Sequence, residues 1–464
     1  MVQGVSSGAG KSLVVCALCR SLARRGMRVA PFKAQNMSNN ARVVDGGEIG
    51  TAQWLQALAA NVVPDVRMNP VLLKPQSDTS SQVVVRGRVD HDLTRSPWRG
   101  RSKLLWPDVL DSYRSLRNEF DVVVLEGAGS PAETNLWADD IVNMTIAEAA
   151  DAPVLLVADI DRGGAFAHLF GTWALLPAPW QRRVRGFLLN KFRGDATLLD
   201  PAPAELEERT GVPTVGVLPW LDHDLPDEEG PSRRSPPAAG PAVALVCGPY
   251  ASNLDEFTHL QQVANVRLVG DHGTLDGAEM VILPGSKHVA ADLAWLRTTG
   301  LADAIVTAAR GGVPILGICG GLQMLGRRVE DPHGVEGEAE GLGLLPVITT
   351  YGADKRTTRT TTQLPELAEP WGWIGGRTVS GYEIRHGHSR SEAPSAVTRV
   401  LPDGLGFTAD NVLGVYLHGL LEDPHILLGL TGRRPTALDE VFEHLADAID
   451  NALDQAWLAD QLAG

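Results

Sequence analysis

Residues 4–12 read Gly4-Val5-Ser6-Ser7-Gly8-Ala9-Gly10-Lys11-Ser12, with the apolar residues Leu13, Val14 and Val15 directly after them. A glycine- and serine-rich turn that runs into a helix points backbone N–H groups and the helix N-terminus at phosphate oxygens. Gly8 and Gly10 then let the backbone close on a nucleotide such as ATP, Lys11 neutralises phosphate charge, and the Ser12 hydroxyl is placed to ligate Mg²⁺. The spacing is one residue longer than G-x-x-x-x-G-K-[ST]. Glycine and serine turns before helices are common, so the Gly10-Lys11-Ser12 ending carries the nucleotide-binding reading. Such a loop follows a strand of a parallel sheet, and Met1-Val2-Gln3 is short for that strand, since about five residues are usual. The expectation is a shortened first strand and a weakened footing for the loop, or a start upstream of Met1.

Working outward, apolar runs at Val122–Leu125, Val154–Val157 and Gly186–Leu189 are separated by helix-length segments, the rhythm of a doubly wound α/β sheet. The pattern stops at the proline- and glycine-rich stretch 227–241, and strand-like runs resume at Val243–Val246, Met280–Leu283, Pro314–Gly317 and Val412–Tyr416. This predicts an α/β domain over 1–226, a linker over 227–241, and a second α/β domain over 242–464. The latter ends in a helix with apolar residues at Val441, Leu445, Ile449 and Leu453 that is expected to pack back onto it.

Composition bounds the partners. The 464 residues carry 41 Lys and Arg against 56 Asp and Glu, a formal charge of −15, which gives no field to attract a nucleic-acid backbone. No apolar run approaches the ~18 residues of a membrane span. Four scattered cysteines, Cys16, Cys19, Cys247 and Cys319, do not make a disulfide framework and fit a reducing, cytoplasmic setting. Homo-oligomerisation is left open.

Two carboxylates are placed to complete a metal site. Glu126 ends an apolar strand, at the edge where α/β sheets bind ligands, and Glu48 lies in a glycine-rich loop before a helix. Each has the alternative of being a solvated loop carboxylate. Asn190 follows another apolar strand and is a candidate for recognising the nucleotide base.

A second chemistry appears at Pro314-Ile315-Leu316-Gly317-Ile318-Cys319-Gly320-Gly321-Leu322. Strand, G-x-C-x-G turn and apolar helix make a nucleophile elbow with cysteine in the serine position. The Gly320 N–H stands where an oxyanion forms, and Gly285 or Ser286 of Leu283-Pro284-Gly285-Ser286-Lys287 is a source for a second donor. His418, in Tyr416-Leu417-His418-Gly419, is the expected base for Cys319, with a structural histidine as the plain alternative.

Together these segments resemble the adenosylcobyric acid synthase family, the glutamine-hydrolysing amidases of cobalamin biosynthesis. The resemblance runs through residues 4–12, Pro31-Phe32-Lys33-Ala34-Gln35-Asn36-Met37, Asn69-Pro70-Val71-Leu72-Leu73-Lys74-Pro75, Val123–Gly129 and Asp159–Gly164. It continues through Leu283–Lys287, the cysteine elbow, Gly381-Tyr382-Glu383-Ile384 and Tyr416–Gly419, covering nearly the whole chain. It implies a P-loop domain similar to dethiobiotin synthetase, in which the longer loop is normal, followed by a class I, triad-type glutamine amidotransferase domain. It further implies ATP-dependent amidation, with glutamine as ammonia donor, of the b, d, e and g carboxylates of a corrinoid, adenosylcobyrinic acid a,c-diamide. By the same resemblance Glu48 and Glu126 become Mg²⁺ ligands and Lys33 a contact to phosphate or substrate. Asn36, Asn39 and Arg162 are candidates for contacts to substrate carboxylates or amides.

One departure concerns the triad. Many amidotransferases of this class carry Glu two residues after the histidine, where this chain has Leu420, so Glu422 is the candidate third member unless Cys319 and His418 act as a dyad. A partitioning-type ATPase shares a similar loop but usually has an early lysine that Val5, Ser6 and Ser7 do not supply. An amidoligase for another corrinoid or a cell-wall precursor is the nearer alternative, and Gln35-Asn36-Met37 argues against it.

Overall fold

The computed structural model describes residues 1–77, 80–226, 239–271 and 273–463, so most of the expected linker, 227–238, lies outside the described residues. Strand Val2–Gly4 has three residues and lies parallel to Val154–Asp159, with Val2 opposite Leu155 and Gly4 opposite Val157. The sheet continues in parallel through Val184–Phe192 to Thr214–Pro219. On the other side a bridge from Val2 to Glu126 brings in the parallel pair Val29–Phe32 and Val122–Leu125. The phosphate-loop segment therefore leaves the middle of a parallel sheet at its carboxyl edge, where strand ends and helix starts converge. Buried runs such as Val154–Ala158 are apolar throughout because both faces of a parallel sheet are covered.

The second sheet runs in the order Asn265–Val269, Ala242–Val246, Met280–Leu283, Ile315–Ile318, Val412–Val415, Gly406–Ala409, Thr398–Leu401. The first five are parallel and the last two antiparallel. The apolar runs identified in the sequence fall on these strands. A long antiparallel ribbon, Val347–Gln363 with Thr378–Ser391, was not foreseen. Its Tyr382 and Ile384 pack with Ala41, Val43, Leu72 and Val84 of the first domain, so a small apolar cluster seals the two domains together.

The C-terminal helices correct the expectation that they belong with residues 242–464. Leu438–Ala452 packs Val441, Phe442, Leu445 and Ile449 against Val14, Val15, Leu18 and Leu22 of helix Lys11–Arg24, which directly follows the phosphate loop. Charge completes the match: Arg24 meets Asp447 at 2.6 Å, Arg25 meets Asp450 at 2.7 Å, and Arg20 pairs with Asp439. Trp457 of the last helix donates to the Arg185 carbonyl at 3.0 Å. The periodicity located the apolar stripe, but a stripe does not name its partner. Among the described residues no helix is long and apolar enough to cross a membrane.

Candidate active sites

Residues 5–10 form a tight turn that ends on Gly10 at φ +91°, a backbone angle that favours glycine. The Lys11 ammonium curls over the turn to the carbonyls of Ser6 (2.9 Å) and Gly129 (3.1 Å). Ser12 Oγ donates to Glu126 Oε1 at 2.8 Å, and the same oxygen accepts from Lys33 Nζ at 2.8 Å. Gln56 donates to the other oxygen of Glu126. Burial pushes the Glu126 carboxyl upward, yet Lys33, Gln56 and Ser12 more than offset this and hold it below the ordinary range, as an anion. A hydroxyl and a carboxylate in contact beside a phosphate loop suit Mg²⁺, which takes one or two protein oxygens and fills its shell with phosphate and water.

Glu48 is not part of this group, which corrects the reading of it as a metal ligand. Its carboxylate oxygens are held by Lys74 and Lys355, each at 2.6 Å, and Lys355 comes from the second domain. Buried among lysines, Glu48 is an interdomain counter-ion, and a metal would have to displace both. Asn190 does reach the loop, but its amide donates to the Ala9 carbonyl at 2.9 Å and so braces the turn. Arg162 lies beside Gly8, exposed and 3.4 Å from Asp159, so it faces the loop. Asn36 is buried and bonds Gln53 at 3.1 Å, while Asn39 keeps a buried oxygen with no hydrogen-bond partner among the described residues. Sequence reading passed over Gln56, whereas Lys191 came with Asn190 as a pair after an apolar strand, and its ammonium bonds the Gly8 carbonyl and Asp159, each at 2.9 Å. The run Asp159-Ile160-Asp161-Arg162 after a buried strand was the available signal.

In the second domain Cys319 sits between strand Ile315–Ile318 and helix Gly320–Leu325 at φ +51°, ψ −102°, a strained elbow. The crowding explains its glycines: a Cβ on Gly321 would lie 2.0 Å from the Leu283 carbonyl oxygen, and one on Gly320 2.6 Å from the Ser286 nitrogen. The Gly285-Ser286 segment is thus pressed against the nucleophile.

Burial alone would lower the His418 pKa, but the nearby Glu256 and Cys319 favour the charged ring and raise it to about 10. The carboxylate that contacts His418 is Glu256, in place of the candidate Glu422. Glu256 Oε1 lies 2.8 Å from His418 Nδ1, and its other oxygen accepts from the Gly419 N–H at 2.7 Å. This double grip assigns Nδ1–H toward Glu256 and leaves Nε2 for the thiol. Glu422 pairs instead with Arg42, and burial, only partly offset by Arg42, pushes it up to about 7. Glu256 lies in the turn Leu254–Phe257, 162 residues before His418, so no short motif could join them. Two acids following strand Ala242–Val246 were the only local hint. Glu256→Gln is expected to lower glutamine hydrolysis by about 10²- to 10⁴-fold. Since Glu256 raises the His418 pKa, its loss moves that pKa down, and the basic limb of the pH–rate profile should fall with it. A profile of glutaminase kcat against pH checks both.

A cavity of about 50 Å³ beside Cys319 is lined by Ser286, Gln323 and Glu336, and also by Lys74 and Gln82 of the first domain. It shares Gln82, Lys355 and His386 with a cleft of about 870 Å³ between the two domains.

Comparison with known proteins finds a family model for each of the two domains. Residues 1–230 match the family model of a CobQ/CobB/MinD/ParA nucleotide binding domain, and residues 242–425 that of a CobB/CobQ-like glutamine amidotransferase domain. The chain is 53% identical to the cobyric acid synthase of Variovorax paradoxus, covering 100% of this chain and 99% of that one. It is 54% identical to the cobyric acid synthase of Paracidovorax citrulli and 53% to that of Polaromonas naphthalenivorans, each over 100% of this chain and 99% of the relative.

Proposed function

The chain belongs to the cobyric acid synthase family, and from that premise we propose how its two sites divide an ATP- and glutamine-dependent amidation in cobalamin biosynthesis. The substrate is adenosylcobyrinic acid a,c-diamide, amidated at its b, d, e and g carboxylates. In the first domain the loop N–H groups and Lys11 hold the ATP phosphates, while Ser12 and Glu126 would hold Mg²⁺, which would supply charge stabilisation for phosphoryl transfer. Lys33, tied to Glu126, stands ready to orient the attacking carboxylate. A carboxylate is a poor electrophile, and its acyl phosphate is a good one.

In the second domain His418 takes the Cys319 proton, and the thiolate attacks the side-chain amide of glutamine. Gly320 and Gly285 N–H groups face the oxyanion, and His418 returns the proton to the departing ammonia. Water then cleaves the thioester to glutamate. Ammonia displaces phosphate from the acyl phosphate, giving the amide. The observation that carries this reading is the cavity beside Cys319, walled in part by Lys74 and Gln82 of the first domain, which keeps ammonia release next to the domain that uses it. The interdomain cleft of about 870 Å³ has the size and openness that a planar macrocycle requires.

The test is mass spectrometry of adenosylcobyrinic acid a,c-diamide incubated with protein, ATP, Mg²⁺ and glutamine. Four successive acid-to-amide mass steps are expected. No mass change while glutamine is still hydrolysed would move the substrate to another corrinoid or to a cell-wall precursor.

A further inference from the structure

The catalytic histidine of the second domain is braced by an arginine of the first. Arg42, in strand Ala41–Val44, is 2% exposed, and its guanidinium is inserted into the amidotransferase domain behind His418. One nitrogen donates to the Tyr382 hydroxyl at 2.9 Å, and the other pairs with both Asp255 and Glu422. The group also lies 5.3 Å from the centre of the Tyr382 ring. Tyr382 in turn stacks on the His418 ring, with centroids 5.3 Å apart and planes 20° apart, and the two residues exchange both backbone hydrogen bonds, at 3.1 and 2.9 Å. Asp255 immediately precedes Glu256, which grips His418 Nδ1. Arg42 therefore fixes both supports of the imidazole, the ring beneath it and the turn that carries its carboxylate. Further bonds tie the same turn to the first domain: Asn253 donates to the Ala41 carbonyl at 3.0 Å, and Thr51 donates to Asp255 at 3.1 Å. Thr51 opens the helix Thr51–Ala59, whose Gln56 holds Glu126 of the nucleotide site.

From this geometry we propose that Arg42 is a positioning residue for glutamine hydrolysis, supplied by the synthetase domain, so that the glutaminase is fully assembled only against the domain that consumes its ammonia. The inference rests on the glutaminase reading of Cys319 and His418. Its chemistry is that of a planar fork bonding two carboxylates and a phenol at once, which a lysine cannot reproduce. Glu256 and Cys319 face His418 directly, Tyr382 lies along the ring, and Asp255, Glu422, Arg42 and His259 stand behind. Asp255 is raised by burial and Glu422 is raised to about 7, each with Arg42 opposing the rise. Without Arg42 both acids take up protons at a higher pH, so the acid limb of the glutaminase profile should move upward.

The experiment uses the full chain carrying R42Q, R42K or Y382F, with glutamine hydrolysis and ammonium-driven amidation measured side by side. Expected for R42Q is a fall of about 10²-fold in glutaminase kcat, as for a misplaced catalytic group, with the KM for glutamine little changed, an acid limb at higher pH, and ammonium-driven amidation retained. R42K should recover part of the rate, and Y382F, which removes one hydroxyl, should lose a smaller part. A glutaminase kcat and pH profile within twofold of the unaltered protein would overturn the proposal. So would an equal loss of both activities, which marks a merely structural residue. Failure of the underlying reading looks different: the unaltered protein would not hydrolyse glutamine, or Cys319→Ala would leave hydrolysis intact.

Discussion

Cys319→Ala is expected to abolish glutamine-dependent amidation, with glutaminase kcat down on the order of 10⁴- to 10⁶-fold, the scale on which removal of a covalent nucleophile acts. The loss should be confined to the second domain. Cys319 lies in its elbow, and alanine adds no volume to a turn whose neighbours leave none. Supplied with ammonium salts, the variant should again amidate the corrinoid, because the proposed acyl phosphate step uses Lys11, Ser12 and Glu126 in the other domain. The restored rate should climb with pH as the neutral ammonia fraction grows, whereas the glutamine-driven rate of the unaltered protein delivers ammonia already neutral beside its target. Product masses with glutamine and with ammonium, at two pH values, read out both arms. Persistence of glutamine-driven amidation in the variant would remove Cys319 from the mechanism.

Lys11→Ala should produce the complementary defect. Amidation is expected to fall by roughly 10³-fold or more with either nitrogen source, since the charge that meets the transferred phosphoryl group is gone. Glutamine hydrolysis should persist within a few-fold. Lys11 also bonds the Ser6 and Gly129 carbonyls, so part of the loss reflects a loosened turn. Lys11→Arg, which keeps the charge on a bulkier head, separates the two effects: a stable loop with impaired transfer. Loss of ammonium-driven and glutamine-driven product together, measured by mass, distinguishes this site from Cys319. Full activity of Lys11→Ala would contradict the phosphate-loop reading.

The correspondence between sequence and structure is uneven in an instructive way. Phosphate loop, elbow and buried strands were legible because each is local: a handful of consecutive residues meets its own backbone constraints, and burial on both faces demands an apolar run. The place of Glu126 beside the phosphate loop was legible for the same reason, since a strand end at the carboxyl edge of a parallel sheet has one place to point. Glu48, Glu256 and the C-terminal helix were misread or missed because their roles depend on partners far along the chain. A glutamate after Gly46-Gly47 has the same local signature whether it meets a metal or two lysines.

What the sequence by itself determined, then, is the inventory: two α/β domains, a nucleotide loop with Lys11 and Ser12, a cysteine elbow at Cys319 and a histidine at the end of a late strand. Only the tertiary structure decided the pairings. It brought Glu256 to His418 across 162 residues, seated the last helices on the first domain, and pushed Arg42 behind that histidine. The physical reason is that charge and apolar surface act over a few ångströms in space without regard to separation along the chain. Periodicity and motif fix what a residue can do, and packing fixes to whom it does it.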